Sequence, residues 1–410
     1  MKKILFATTA LVGTLMAVGT ASAAEPIKLA VGGQMKQWFG VVNQHGANLA
    51  DQFGGTAGGG KFNKTGLDTQ ANVLFSGETK TNNGLVVTAR IQLDTPANFA
   101  TTLASVATRE SSVALAGGLG TLRAGIKEVA NQTMHSEAPD VGITYGGVSN
   151  WFAPPSGWAS MAPYANAAGR NIGLLNSNLW SATSFMAFTD KQPSVSYISP
   201  SFHGLSLGAS FVPGSGSIGP VDTLNTPHNV WETTLAYARE FAPVTLNLDA
   251  GYARGSGPKR GAIAFATPAS YFGQSFRAWE GGAKIVIGGW TLGGAYLGLE
   301  EDKVDNPAAV TQTGTAVIST TGHAWNAGLS YINGPWGASL SYYNEKHRGF
   351  VGNTAGQEEF GTGMLSGSYE LGPGITSRST AFVARYAGLD ESSANKNQGY
   401  GLVTGIDLAF

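Results

Sequence analysis

The residues that could do chemistry in this chain fall into four groups. The six histidines, His45, His135, His203, His228, His323 and His347, form no H-x-x-x-H or H-E-x-x-H pair, so no zinc helix is indicated. Gly55-Thr56-Ala57-Gly58-Gly59-Gly60-Lys61 has the glycine and lysine spacing of a phosphate loop. Phe62 stands where a Ser or Thr must hold the metal, and no strand-to-helix context surrounds it, so it reads as an outer loop. Glu300, Glu301, Asp302 and Asp305 could collect a cation, but their spacing is not that of a calcium loop, and a solvated loop is the simpler reading. No G-x-S-x-G sits on a strand-to-helix turn, and there are no cysteines, so thiol and disulfide chemistry is excluded. The remaining group is electrostatic: Lys36, Arg90, Arg123 and Lys127 each interrupt an alternating apolar stretch.

Those cations are placed by strands. In the first strand Ile27, Leu29, Val31, Met35, Phe39 and Val41 share one face, and Lys28, Gln34 and Lys36 the other. In the third, Leu85, Val87, Ala89, Ile91 and Leu93 oppose Thr88, Arg90, Gln92 and Asp94. In the fifth, Leu122, Ala124 and Ile126 oppose Arg123 and Lys127. A cation on a lipid-facing side costs about 2–4 kcal/mol near the midplane, so the charged faces belong inside a barrel. Arg378 and Arg385 have opposite parity, so at most one of them faces inward at mid-depth.

Alternation and turn residues predict sixteen strands, over 27–42, 69–81, 85–94, 109–116, 121–128, 192–201, 205–213, 228–240, 245–255, 277–287, 291–301, 323–332, 336–347, 358–370, 375–388 and 397–410. Their connections alternate. Short turns such as Asn82-Asn83-Gly84, Gly288-Gly289-Trp290 and Gly372-Pro373-Gly374 are followed by longer links over 43–68, 95–108, 129–191, 214–227, 256–276, 302–322, 348–357 and 389–396. That rhythm predicts an all-β, up-and-down transmembrane barrel of 16 antiparallel strands, with short periplasmic turns and long external loops; Greek-key sandwiches mix their link lengths. Phe202, Phe241, Trp290, Trp336, Tyr369 and Phe410 sit beside the short turns, where rings favour a membrane–water boundary. The last strand puts Leu402, Thr404, Ile406, Leu408 and Phe410 on one face and Val403, Gly405, Asp407 and Ala409 on the other.

Composition agrees. Of 410 residues only 12% are charged, about half the level of an ordinary soluble domain, and 58 are glycine. Met1-Lys2-Lys3, an apolar stretch to Val18 and Ala21-Ser22-Ala23 read as a signal peptide over 1–23, leaving one barrel domain over 24–410. After Ala24 no run of 18 apolar residues remains, so helical spanning is not expected. The net charge of −1 gives no case for nucleic acid, and no cofactor is implied.

The link over 129–191 holds Trp151, Phe152, Trp158, Tyr164, Trp180, Phe185 and Phe188, too many rings for a disordered loop. A 16-stranded barrel has room for it inside. Its first part, MHSEAPDVGITYGG (134–147), carries Glu137 and Asp140.

The whole chain, from the leader through GGLGTLRAGIKE (117–128) and the long third loop to Phe410, resembles the general porins of Gram-negative outer membranes. That resemblance implies an outer-membrane channel for passive diffusion of small hydrophilic solutes and ions, in contact with outer-membrane lipid and lipopolysaccharide. It implies a homotrimer whose final strand, ending in Phe410, is read by the barrel-assembly machinery. It also implies a third loop folded inward, with wall cations Lys36, Arg90, Arg123 and Lys127 facing loop acids Glu137 and Asp140 across a constriction. The loop departs from the strongly acidic pattern of that family, since it also carries His135 and Arg170. Other readings are a substrate-specific channel, for example for sugars, with an aromatic-rich third loop; a barrel enzyme; and a secreted carbohydrate-binding β-protein. The histidine pattern disfavours the enzyme.

Overall fold

The computed structural model describes residues 26–45, 63–94, 107–152, 182–189, 191–214, 221, 228–256, 275–301, 321–351, 354–388 and 396–410. The leader, the Gly55–Lys61 stretch, Asp302 and Asp305, and Trp158, Tyr164, Arg170 and Trp180 lie outside these residues.

Sixteen antiparallel strands close into one barrel, each bonded to its neighbours in sequence. The first five are β1 (Lys28–Gln44), β2 (Thr65–Lys80), β3 (Val86–Asp94), β4 (Ala107–Gly117) and β5 (Gly120–Ile126). After the third loop come β6 (Pro193–Ile198), β7 (Leu205–Gly214), β8 (His228–Phe241), β9 (Val244–Ser256), β10 (Phe276–Ile287) and β11 (Trp290–Glu301). The circuit ends with β12 (Gly322–Asn333), β13 (Trp336–Val351), β14 (Thr354–Gly372), β15 (Ile375–Ala387) and β16 (Lys396–Ala409). Closure is made by β1 on β16, in a register that sets Lys36 against Asp407 and Trp38 against Gly405. At the seam Gly33 and Phe410 exchange backbone hydrogen bonds of 2.8 and 3.1 Å. No described helix is long and apolar enough to cross a membrane; the crossing is made by strands.

The expected strands are all present, with altered ends. β2 starts four residues early, at Thr65, and β5 stops at Ile126, so Lys127 lies just beyond it. The larger difference concerns 348–357. β13 and β14 pair as far as Val351 with Thr354, so the glycine-rich stretch that reads as a loop is mostly a protruding hairpin. Glycine signals a turn locally, but here cross-strand pairing continues through it.

Alternation is obeyed around the barrel. Leu402, Ile406 and Phe410 are exposed on the outer surface, while Val403 and Asp407 are buried within. Tilted pairs of outer rings form two belts. Trp290 with Tyr331 and Trp336 with Tyr369 lie at the short-turn end, and Phe211 with Trp231 and Trp325 with Tyr342 lie toward the long loops. Tyr331 and Trp325 are six residues apart on β12, about 20 Å of strand, which suits an apolar band between two interfaces. The short turns bend where residues take a left-handed φ, as at Gly288 (60°) and Gly334 (58°), a conformation without penalty only for glycine.

The interior is not an open tube. Beyond β5 the chain enters the barrel and forms two single turns, α1 (Ala130–Met134) and α2 (Thr144–Val148); a third, α3 (Met186–Thr189), precedes β6. Val129, Val148, Phe152 and Phe185 from this loop pack against inward side chains such as Val212, Leu297, Tyr343 and Phe382, so the core lies between loop and wall.

Candidate functional site: the third loop and the inner wall

A loop inside a barrel lacks a sheet partner, so its backbone N–H groups must find acceptors on the wall. Inward side chains supply them in strand order. Ala130 N donates to Ser210 Oγ on β7 at 2.9 Å, and Ser136 N to Asp249 Oδ1 on β9 at 2.9 Å. Ala138 N donates to Asn326 Oδ1 on β12 at 3.0 Å, Val141 N to Ser339 Oγ on β13 at 3.0 Å, and Ile143 N to Thr380 Oγ1 on β15 at 3.1 Å. Arg378 closes the row, donating from Nη1 to Val141 O at 2.6 Å and from Nε to Asp407 Oδ2 at 2.8 Å. Arg378 is therefore the inward arginine of β15, and Arg385 is exposed on the outer face.

Small wall residues let the loop come this close. A Cβ on Gly282 of β10 would overlap the carbonyl oxygen of Ser136. On the far side, Trp151 lies over Gly40 of β1 and accepts a bond from Gln44 Nε2 on its carbonyl at 3.2 Å. Around α2 the fixing is aromatic. Tyr145 stacks on Tyr343 with centroids 4.3 Å apart and planes at 1°, and Phe152 stacks on Tyr386 at 5.5 Å. Tyr145 gives its hydroxyl proton to Glu137 Oε2 at 2.5 Å. Burial first, then the Glu137 charge, holds that phenol well above its usual pKa, so it stays a donor.

Among the described residues the loop thus covers the arc from β7 to β15 and reaches β1, while β2–β4 take none of its hydrogen bonds and β5 takes one, through Arg123. The arc from β2 to the end of β5 holds Arg90 and Arg123, and Lys127 lies just beyond it. Arg90 is the most open, with its side chain 40% exposed. Lys127 pairs with Glu110 of β4 at 2.8 Å, and Arg90 lies 3.5 Å from the same carboxylate. Arg123 is buried, and its Nη2 donates to Thr133 Oγ1 at 3.1 Å, so it props the foot of α1. Lys36 is half-buried on the inward face of β1. The loop acids lie on the opposite arc and are engaged there. Glu137 accepts from Tyr145 and, at 3.4 Å, from Asn326; Asp140 accepts from Ser341 Oγ at 2.7 Å and from Gly142 N at 2.5 Å.

Glu110 was not singled out from the sequence, although its parity with Ser112 and Ala114 marks it as inward. Nor were Asp249 and Glu280, which meet His135 where the loop first touches β9 and β10. His135 Nδ1 lies 2.9 Å from Asp249 Oδ1 and 3.3 Å from Glu280 Oε2. Burial alone would push the imidazole pKa down. The hydrogen bonds and charges of the two carboxylates outweigh it and raise the value to about 10, so the ring is an imidazolium at neutral pH.

A closed 16-stranded barrel, lipid-facing outside and narrowed from within by its own third loop, is a channel architecture. Residues 7–391 match the family of Gram-negative porins. The chain is a Gram-negative porin. It resides in the outer membrane, where the family forms channels. Solved structures of similar fold include a loop-deletion mutant of OmpT, an outer membrane protein of Vibrio cholerae (TM-score 0.59, 12% identity, 94% of this chain and 100% of that one). Another is the anion-selective porin from Comamonas acidovorans (TM-score 0.56, 12% identity, 94% and 100%). A third is the outer membrane channel DcaP of Acinetobacter baumannii (TM-score 0.58, 10% identity, 94% and 97%). At these identities the likeness is one of fold. No curated protein sequence matches the chain.

Proposed function

We propose that this porin is a water-filled diffusion channel for small hydrophilic solutes and ions, with its narrowest passage between the docked third loop and the β2–β5 wall. The observation that supports this most is the one-sided docking of the described part of the loop, whose hydrogen bond to the cation-bearing arc among the described residues is the one from Arg123. Lys36, Arg90 and Lys127 on one side, and the loop acids Glu137 and Asp140 on the other, would set a transverse field that orients dipolar solutes. The Gram-negative leader over 1–23 is removed on export, three copies associate as in the OmpT trimer of Vibrio cholerae, and the strand ending in Phe410 is presented to the assembly machinery. Of the described rings of the third loop, Phe152 and Phe185 are fully buried against the wall, and Tyr145 and Trp151 are half-buried, so a sugar track along the loop is the second reading.

The test is reconstitution of the mature protein in a planar bilayer, with conductance and reversal potential recorded in a salt gradient. Stepwise, ohmic openings whose size scales with bulk conductivity are expected. Saturating currents that one sugar blocks at low concentration would replace diffusion by a substrate-specific channel.

A further inference from the structure

His135, Asp249 and Glu280 come from three separate parts of the chain, and their ligand atoms all lie within 4.8 Å of one another. The side chain of His135 is 5% exposed and those of Asp249 and Glu280 are fully buried. In a tetrahedral zinc site with bonds of 2.0–2.2 Å, neighbouring ligand atoms stand about 3.3 Å apart. The Nδ1 separations from the two carboxylates, 2.9 and 3.3 Å, are already close to that edge.

A second observation concerns charge. Glu232 on β8 is 2% exposed, and neither of its carboxylate oxygens has a hydrogen-bond partner among the described residues. The Thr189 hydroxyl beside it gives its proton to Phe185 O at 2.7 Å. The register sets Glu232 against Ala253 and Glu280 against Gly251 of β9, so both carboxylates face inward on either side of that strand, and Glu280 Oε2 lacks a conventional hydrogen bond of its own. Asn131, which donates to Glu280 and to Thr234, is neutral. The register puts Lys284 on the same inward face of β10, where it makes no ion pair among the described residues. Three buried carboxylates therefore share one imidazole. Buried charge of one sign is costly unless a cation or a proton offsets it.

We propose that His135, Asp249 and Glu280 form a binding site for a divalent first-row transition metal such as zinc, with Glu232 behind them as the outer partner. An imidazole nitrogen with two carboxylate oxygens suits zinc and its neighbours better than calcium or magnesium, which favour oxygen alone. Binding sets the metal between the imidazole nitrogen and the two carboxylates. A water completes the fourth position, and Glu232 accepts its hydrogen bond. The metal then ties α1 to β9 and β10 and fixes the third loop where it begins its path along the wall. The proposal is independent of what passes through the channel.

The test uses the folded full-length barrel in detergent, stripped with chelator and dialysed against zinc chloride, with bound metal measured per chain. Folding of each variant is checked by its heat-modifiable gel mobility. One zinc per chain is expected, absent in His135→Gln and weakened about tenfold in Glu232→Gln. Should His135→Gln fail to fold, Glu280→Gln is read in its place, with the same loss expected. No saturable zinc in the unaltered barrel, or equal zinc in the unaltered barrel and the ligand variants, would overturn the proposal.

Discussion

Glu110 is the only acid among the described residues that touches two of the wall cations, and its replacement by glutamine isolates its electrostatic part. Gln keeps the size and can still accept from Ser112 Oγ, a bond of 3.0 Å in the native wall. What is lost is one negative charge, 2.8 Å from Lys127 Nζ and 3.5 Å from Arg90 Nε. At about 10 Å from the charge, with an effective dielectric constant of roughly 40–80, an ion in the passage feels about 0.4–0.8 kcal/mol before screening. One Debye length at 0.1 M salt reduces this to about 0.15–0.3 kcal/mol. Anions gain that amount and cations lose it, so the anion-to-cation permeability ratio rises about two- to threefold. For a pore of little native selectivity, that moves the reversal potential in a tenfold salt gradient by about 10–20 mV toward the anion side. Single-channel recording of the two proteins side by side measures it. In molar salt the Debye length is about 3 Å, and the difference should nearly vanish. No shift at low salt, a shift toward cations, or a shift that persists in molar salt would refute the placement of this carboxylate beside the conducting path.

Two further outcomes probe the docking of the loop. Phe152→Ala removes a fully buried ring stacked on Tyr386 and edge-on to Phe382, and should cost about 3–5 kcal/mol of local packing; the expected result is increased open-channel noise while the barrel keeps its heat-modifiable mobility, and quiet openings would count against this packing. Gly282→Val cannot leave Ser136 where it is, because backbone oxygen occupies the space of the new Cβ. The loop must move into the lumen, and a lower single-channel conductance is expected; an unchanged conductance would show that the loop does not border the passage.

Much of this porin is written locally. Period-two alternation in β1, β3, β5 and β16 needs only neighbouring residues to reveal it, because lipid on one side and water or loop on the other sort every second side chain. The inward parity of Lys36, Arg90 and Arg123 follows from the same rule. So does the rhythm of turns, apart from the ends of β13 and β14, where cross-strand pairing continues to Val351 and Thr354 through the glycines. What only the tertiary structure decided is which inward residues meet. Nothing near His135 in sequence announces Asp249, 114 residues away, and nothing near Ile143 announces Thr380. Parity marks Glu110 as inward, but only the register of β3, β4 and β5 sets it between Arg90 and Lys127. Parity fixes the face a side chain takes. Closing the sheet through sixteen strands fixes its depth and its partner across the lumen, and a loop threading that lumen draws its hydrogen bonds from strands it never neighbours in the chain.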